Sequence, residues 1–281
     1  MNLKSKILLV GSCQMDAMLE SLGTQDKLLN KYDLESIVVF KEDIDESSFK
    51  EKLKNTSFLI AHKINTETSE LFNYDNLRKL SHEFKFKFVI LPYMFFNGYW
   101  PNVDYIIHNG EKLGQNGNLY HEKRLYELVQ QNDNLNLQNI FDRYSQQISL
   151  EDVIDNLLNT LSIMHEKNKV HDDVQMIDIL SFIIKNYKTK KLFYTNNHPT
   201  LDLIKYCTKM TMNILKIDCD DLSLEKTKNI LNTFVSPIHH SVRDGLSLKF
   251  EDKKLVSYNK EISLYDWLKD EYELYSNLIK L

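Results

Sequence analysis

Cys13 is the residue whose type and position point most directly to chemistry. Lys6–Val10 reads as a buried strand, Gly11-Ser12-Cys13-Gln14 as a tight turn, and Met15, Met18, Leu19 and Leu22 recur at helical spacing. A thiol on such a turn meets free backbone N–H groups and the positive end of the helix dipole. Both favour thiolate and predict a lowered pKa. The same N–H groups could stabilise the oxyanion of an attacked carbonyl. The competing reading is a small buried hydrophobe. His198 stands in Asn196-Asn197-His198-Pro199, after a strand at Lys191–Thr195 and at the opening of a helix. If that strand is parallel and central, the imidazole shares a sheet edge with Cys13, and Cys with His is a nucleophile–base unit. The competing reading is a helix cap, with Asn196 or Asn197 capping and Pro199 as the first helical residue.

Other candidates carry weaker signals. Phe96-Asn97-Gly98-Tyr99-Trp100-Pro101 is an aromatic loop that could shape an acceptor pocket or pack as a core turn. Tyr120-His121 with Lys123 and Arg124 could set cations near a phosphate, or form a solvated helix face. His165, His171 and His239-His240 lack a second half of a metal motif, so no metal is assigned. There is no G-x-G-x-x-G pattern and no P-loop, which argues against a dinucleotide site or an ATPase. Cys207 falls inside a helix and reads as structural.

The elements that must position these residues alternate. Ser36–Phe40, Ser57–His62 and Phe86–Leu91 read as further strands, with a short helix including Phe49–Leu53 and a polar-faced helix over Glu67–Phe84. This alternation predicts a parallel sheet with helices on both faces. Sites in such sheets lie beyond the carboxyl ends of strands, where Cys13 and Pro92-Tyr93 fall. Residues 110–118, with Gly110, Gly114 and Gly117, read as loop. From Tyr120 to about Asn186 the pattern is helical, with a cap at Ser149 and Asp152 and an apolar helix at Val174–Ile184. Leu248–Ile262 alternates weakly as a hairpin, and Leu264–Leu281 closes as an aromatic-rich helix. The expected fold class is α/β, a Rossmann-like parallel-sheet core with a helical insertion and C-terminal helices. We read residues 1–281 as one domain, elaborated at about 120–186.

Composition bounds the rest. The chain has 281 residues, 42% hydrophobic and 27% charged, which excludes extensive disorder. No apolar run approaches the roughly 18 residues of a membrane span. The balance of 35 basic and 40 acidic residues argues against a nucleic-acid footprint. Three cysteines (Cys13, Cys207, Cys219) suit neither a disulfide framework nor a zinc site, so a reducing compartment is expected. With only a four-residue apolar run, Ile7–Val10, near the N-terminus, the expected location is the cytoplasm, with peripheral association to a membrane pathway as the variant.

Taken in order, these segments resemble the WcbI-like polysaccharide biosynthesis proteins, acyltransferases of bacterial capsule clusters. That family opens with a strand and G-N-C-Q, here Gly11-Ser12-Cys13-Gln14. Its aromatic loop, F-D-G-Y-x-P, is Phe96-Asn97-Gly98-Tyr99-Trp100-Pro101 here. Tyr120-His121, Asn197-His198-Pro199 and Ser236-Pro237-Ile238-His239 match later segments. Ser12 replaces the usual Asn, and Asn97 the usual Asp.

The resemblance implies a core related to the SGNH hydrolases, with Cys where they carry Ser. It also implies coenzyme A or acetyl-CoA as donor and a sugar hydroxyl as acceptor. Cys13 and His198 then become nucleophile and base, with the Gln14 or Asn197 amide at the oxyanion. The Gly11-Ser12 turn, His121, Lys123 and Arg124 become coenzyme contacts. Tyr93, Asn97, Tyr99 and Trp100 become acceptor contacts. A direct transfer without an acyl-enzyme stays open. So do an esterase or thioesterase using the same pair, a glycosyltransferase of the same pathway, and a non-catalytic scaffold.

Overall fold

The computed structural model describes residues 4–41, 43–113, 120–131, 135–251 and 254–279. Gly114 and Gly117 of the expected loop lie outside the described residues. The chain forms two compact units, each built from separated segments. The first comprises 1–95, 163–186 and 198–231, and the second 96–162, 187–197 and 232–281.

The first unit is built on a five-stranded parallel sheet. Strand β1 is Ser5–Gly11, β2 Tyr32–Val38, β3 Thr56–Ala61 and β4 Lys87–Ile90. The fifth strand is the two-residue segment Gln175–Met176, paired in parallel to Val89 and Ile90 of β4. The spatial order is β2, β1, β3, β4 and then Gln175–Met176. Ile7, Leu8, Leu9 and Val10 are all buried, as an interior parallel strand with both faces covered requires.

Four helices connect these strands: α1 at Cys13–Leu22, α2 at Asp26–Leu29, α3 at Glu46–Leu53 and α4 at Tyr74–Phe84. Leu8 and Val10 pack with Phe49 and Leu53 of α3 and with Leu77 and Leu80 of α4 in one core. Ile7 and Leu9 alternate to the opposite face. There α1 meets the long helix Leu201–Ile214, joined by a buried hydrogen bond between the Thr208 and Ser21 hydroxyls at 2.8 Å.

Two helical expectations change. The expected helix at 67–84 begins only at Tyr74, because Asn73 caps it by accepting the Asn76 N–H at 2.9 Å. Upstream, Asn65 instead closes a turn onto the Thr68 N–H at 3.1 Å. The expected helix at 174–184 begins only at Leu180, since Gln175 and Met176 give their backbone to the sheet.

The second unit holds most of the helical elaboration. Helices at Lys123–Gln131, Leu137–Tyr144 and Leu264–Ile279 share a core that includes Leu125, Ile140, Leu268 and Tyr275. The helix Leu150–Lys167 starts where expected, with the Ser149 hydroxyl accepting the Asp152 N–H at 3.0 Å. The hairpin over Leu255–Ser257 and Lys260–Ile262 forms as expected. No helix among the described residues is long and apolar enough to cross a membrane.

Candidate active site

Strand order sets where a site can form in the first unit. The crossover from β1 runs outward to β2, and the chain then returns to the other side of β1 as β3. The connections therefore diverge between β1 and β3. In open α/β sheets such a divergence is where a binding crevice is expected, beyond the carboxyl ends. Gly11-Ser12-Cys13 leaves β1 at that point, and His62 immediately follows β3.

The turn is pinned by short-range bonds. Ser12 is the N-cap of α1, and its hydroxyl accepts the Gln14 N–H at 3.3 Å. The Ser12 N–H itself donates to His62 Nδ1 at 3.3 Å. The His62 N–H is held by the Val10 carbonyl at 3.0 Å, which fixes the histidine against β1. Because Nδ1 accepts a bond, the proton of the neutral ring sits on Nε2. That nitrogen is buried and has no partner among the described residues. Burial drives the His62 pKa down to about 3, so the ring is neutral at physiological pH. Tyr93, itself partly exposed, meets the His62 ring edge-on with centroids 5.4 Å apart.

Cys13 is the first residue of α1 and is half-buried. Its pKa is raised, against the lowered value expected from the helix terminus. Desolvation of the thiol outweighs the Lys41 cation and the backbone N–H groups, which act to lower it, and Asp16 adds to the rise. The thiol therefore needs a base to become thiolate at neutral pH.

Gln14 is fully buried, and its amide is spent on the backbone of Met94. Its Nε2 donates to the Met94 carbonyl at 2.8 Å, and its Oε1 accepts the Met94 N–H at 3.0 Å. This clamp ties α1 to the segment after β4, in place of the expected oxyanion role. Gln14→Leu should strand both Met94 backbone groups and cost roughly 2–4 kcal/mol of unfolding free energy, read by urea denaturation. A loss under about 0.5 kcal/mol would contradict the clamp.

His198 lies in the first unit, just ahead of helix Leu201–Ile214, whose N-cap is Thr200 rather than Asn196 or Asn197. The condition for sharing a sheet edge with Cys13 is not met through its strand, since Phe193–Thr195 lies outside the five-stranded sheet. The imidazole is half-buried, and burial lowers its pKa while a hydrogen bond to the Leu231 carbonyl partly offsets this. Nδ1 is buried without a partner among the described residues. With the other nitrogen donating to a carbonyl, Nδ1 carries the lone pair that a base requires. His62 and His198 thus present opposite tautomers, one a spare donor and the other a spare acceptor. Cys207, in Leu201–Ile214, is buried, with Sγ 3.9 Å from Met94 Sδ. It is a core residue as expected, and burial pushes its thiol well above the usual range.

The remaining candidates belong to the second unit. Tyr99 and Trp100 are core residues, not an open platform for a sugar. The Tyr99 hydroxyl donates to the Tyr187 carbonyl at 2.7 Å, and Trp100 Nε1 donates to the Pro237 carbonyl at 2.9 Å. The side-chain amides of Asn97 and buried Asn196 bond each other, and the Asn97 carbonyl accepts from Asn156 at 2.8 Å. Asn97 thus holds the loop closed. Asn197 Oδ1 accepts the Thr195 hydroxyl at 3.2 Å.

The expected coenzyme cations are already paired. Lys123 meets Asp104 at 2.8 Å, Arg124 meets Glu122 at 2.7 Å, and His121 Nδ1 meets Glu271 at 3.3 Å. Burial raises the Glu122 pKa to about 7, an effect that Arg124 opposes. A phosphate here would have to compete with these carboxylates, although Arg124 Nη2 is buried without a partner among the described residues.

His62 is the residue that the sequence reading passed over. Its signal was the one used for Cys13, a polar side chain just beyond the carboxyl end of a buried strand.

The family described as "Polysaccharide biosynthesis enzyme WcbI" matches residues 6–218. The chain belongs to the WcbI family. The fold agrees with a solved WcbI structure at a TM-score of 0.75 and 16% identity, over 99% of this chain and 93% of that one. That protein is described as a novel polysaccharide biosynthesis enzyme, in native form without a disulfide bond between coenzyme A and a cysteine. No curated protein matches the chain. The WcbI family match covers the cysteine turn, His62 and His198, and ends before the hairpin and the final helix of the second unit.

Proposed function

We propose that this WcbI-family protein transfers an acyl group, in the simplest case acetyl, from a coenzyme A thioester to a hydroxyl of a surface-polysaccharide sugar or its precursor. The observation that carries the reading is the cysteine turn at the β1/β3 divergence, with a neutral buried histidine hydrogen-bonded to it. The WcbI structure described with respect to coenzyme A and a cysteine supplies the donor class.

In this reading Cys13 Sγ gives its proton to His198 Nδ1 and attacks the thioester carbonyl. A new C–S bond forms, and the bond to the coenzyme sulfur breaks. The departing thiolate takes a proton from the His198 imidazolium. The sugar hydroxyl then loses its proton to the same nitrogen, attacks the acyl-cysteine and releases the ester and the free thiol. The Cys13 N–H, with His62 Nε2–H as a further donor, stabilises each oxyanion. Cysteine thus takes the place that serine holds in SGNH hydrolases. Lys41, whose field acts on the thiol and which lies 3.7 Å from Asp16, joins His121, Lys123 and Arg124 as a candidate contact for the coenzyme phosphates.

Two measurements test this. Calorimetry should show coenzyme A and acetyl-CoA binding to wild type and to Cys13→Ala. Absence of binding to both would sink the donor assignment. Accumulation of free acid instead of sugar ester would turn the reading into a thioesterase.

The pH profile follows from the sign of the His198 shift. The base works only when neutral, and its pKa is lowered from its ordinary value of 6.5. The rate should therefore stay on a plateau through neutral pH and fall on acidification below about 6.5. In His198→Gln that limb should vanish together with most of the activity. An acid limb centred above about 7 would contradict His198 as the base.

A further inference from the structure

We propose that Asp16 and Lys41 form an opposed charge couple that sets how readily the Cys13 thiol ionises, with Asp16 a positioning residue that helps hold the resting thiol protonated. For catalysis the couple rests on the reading of Cys13 as nucleophile; its effect on the thiol does not.

Both charges are held beside the cysteine turn. Asp16 follows Cys13 by three residues on α1. Side chains at that spacing share a helix face, about 5–6 Å apart. The carboxylate is also tied across to β2. The Ser36 hydroxyl donates to Asp16 Oδ1 at 2.9 Å, and Lys41 Nζ lies 3.7 Å from Oδ2. Lys41 is placed by its backbone. The Val39 N–H donates to the Gly11 carbonyl at 2.9 Å, and the Lys41 N–H donates to the Val38 carbonyl at 2.8 Å. The chain beyond β2 is thus fastened to the residue two before the thiol.

An acid in the first turn ordinarily complements the helix dipole, a role that needs no partner on a neighbouring strand. The ion pair adds little stability either, because the Lys41 side chain is 66% exposed. What the two charges share is the thiol: Lys41 favours the thiolate and Asp16 opposes it. The other titratable side chains assigned to the site come from different elements. They are His62 beyond β3, Tyr93 beyond β4, which packs on His62, and His198 ahead of Leu201–Ile214. Burial keeps both imidazoles neutral at neutral pH. A thiol held protonated at rest is inert until a base takes its proton, which suits a nucleophile that must wait for its substrates.

The pH dependence of iodoacetamide alkylation, read by mass spectrometry on the Cys13 peptide of the full chain, tests the couple. Near neutral pH, Asp16→Asn should react about 3- to 10-fold faster than wild type. Lys41→Gln should react slower by a similar factor, the worth of one charge at this separation. Both differences should shrink in about 1 M salt. Asp16→Asn keeps an oxygen for the Ser36 hydroxyl, and Asp16→Glu, which keeps the charge, should stay within about 2-fold of wild type. A merely structural role would loosen α1 and speed alkylation in both neutral variants. Changes of the same sign in Asp16→Asn and Lys41→Gln, or changes below about 2-fold in both, overturn the proposal. Acetyl-CoA turnover is followed on the same proteins. Opposite shifts in alkylation without turnover by wild type would reject the acyl-transfer reading alone. Turnover without opposite shifts would reject the couple alone.

Discussion

Cys13→Ala should lower acyl transfer by about 10⁴-fold while leaving coenzyme A binding within a few-fold of wild type. The thiol is half-buried at the start of α1. Removing one sulfur leaves the Ser12 cap and the Gln14 clamp in place, so the fold should survive. The loss belongs to the chemical step, because the acyl-cysteine cannot form. Cys13→Ser separates the covalent path from direct transfer. The thiol pKa is already raised by burial, and an alkoxide is harder still to generate at neutral pH. The serine variant should therefore be nearly as slow as the alanine one. Rapid-quench mass spectrometry should trap an acetyl adduct on wild type only. Near-normal turnover in Cys13→Ala would leave His198 acting directly on the acceptor and remove the covalent intermediate.

Gly11→Ala is the second large effect. A Cβ at Gly11 would lie 2.6 Å from His62 Nδ1, 2.9 Å from His62 Cγ and 3.0 Å from Met15 Cγ. No real Cβ sits that close to a ring, so His62 must swing away from the turn. The move breaks the bond from the Ser12 N–H and disturbs the packing under α1. Overpacking of this kind costs typically 1–3 kcal/mol, and the stranded N–H adds to it. We expect a loss of about 3 kcal/mol in chemical denaturation and a fall in kcat of at least about 100-fold. The double variant Gly11→Ala with His62→Ala is diagnostic. Removing the ring relieves the clash, so the double variant should be more stable than the sum of the single losses predicts. Activity should stay low, because the ring is gone. A strictly additive cycle would show that the two residues do not meet.

How far the sequence alone reached follows from local patterns. β1 with its turn and α1 was legible, because a buried run, a turn and a helical stripe follow one another without interruption. The hairpin after residue 254 and the Ser149 cap were legible for the same reason, since their signals are local. Gln175–Met176 was not, because two residues of strand inside an apolar stretch carry no period, and only pairing to β4 defines them. The aromatic loop showed ring types but not their direction. Burial of Tyr99 and Trp100 depends on the backbone carbonyls of Tyr187 and Pro237, far away in sequence. Cys13 could be located from its strand, but its pKa could not. Helix-terminus reasoning gives the favourable part of the field, and the desolvation that overrides it comes from tertiary packing.

The segment order of the first unit has a consequence for how the protein is made. Its sheet gains a last strand at Gln175–Met176 and its long helix at Leu201–Ile214, after the chain has left for the second unit at residue 96 and again at residue 187. Neither unit is a continuous stretch, so neither can be cut free by trimming one end. On the ribosome, β1 to β4 emerge with an unpaired edge that must wait for about 85 further residues, several seconds or more at ordinary elongation rates. The cysteine turn is translated among the first residues, yet the His198 segment follows it by about 185 residues, so the pair that we assign to catalysis becomes complete only after the chain has twice left for the second unit.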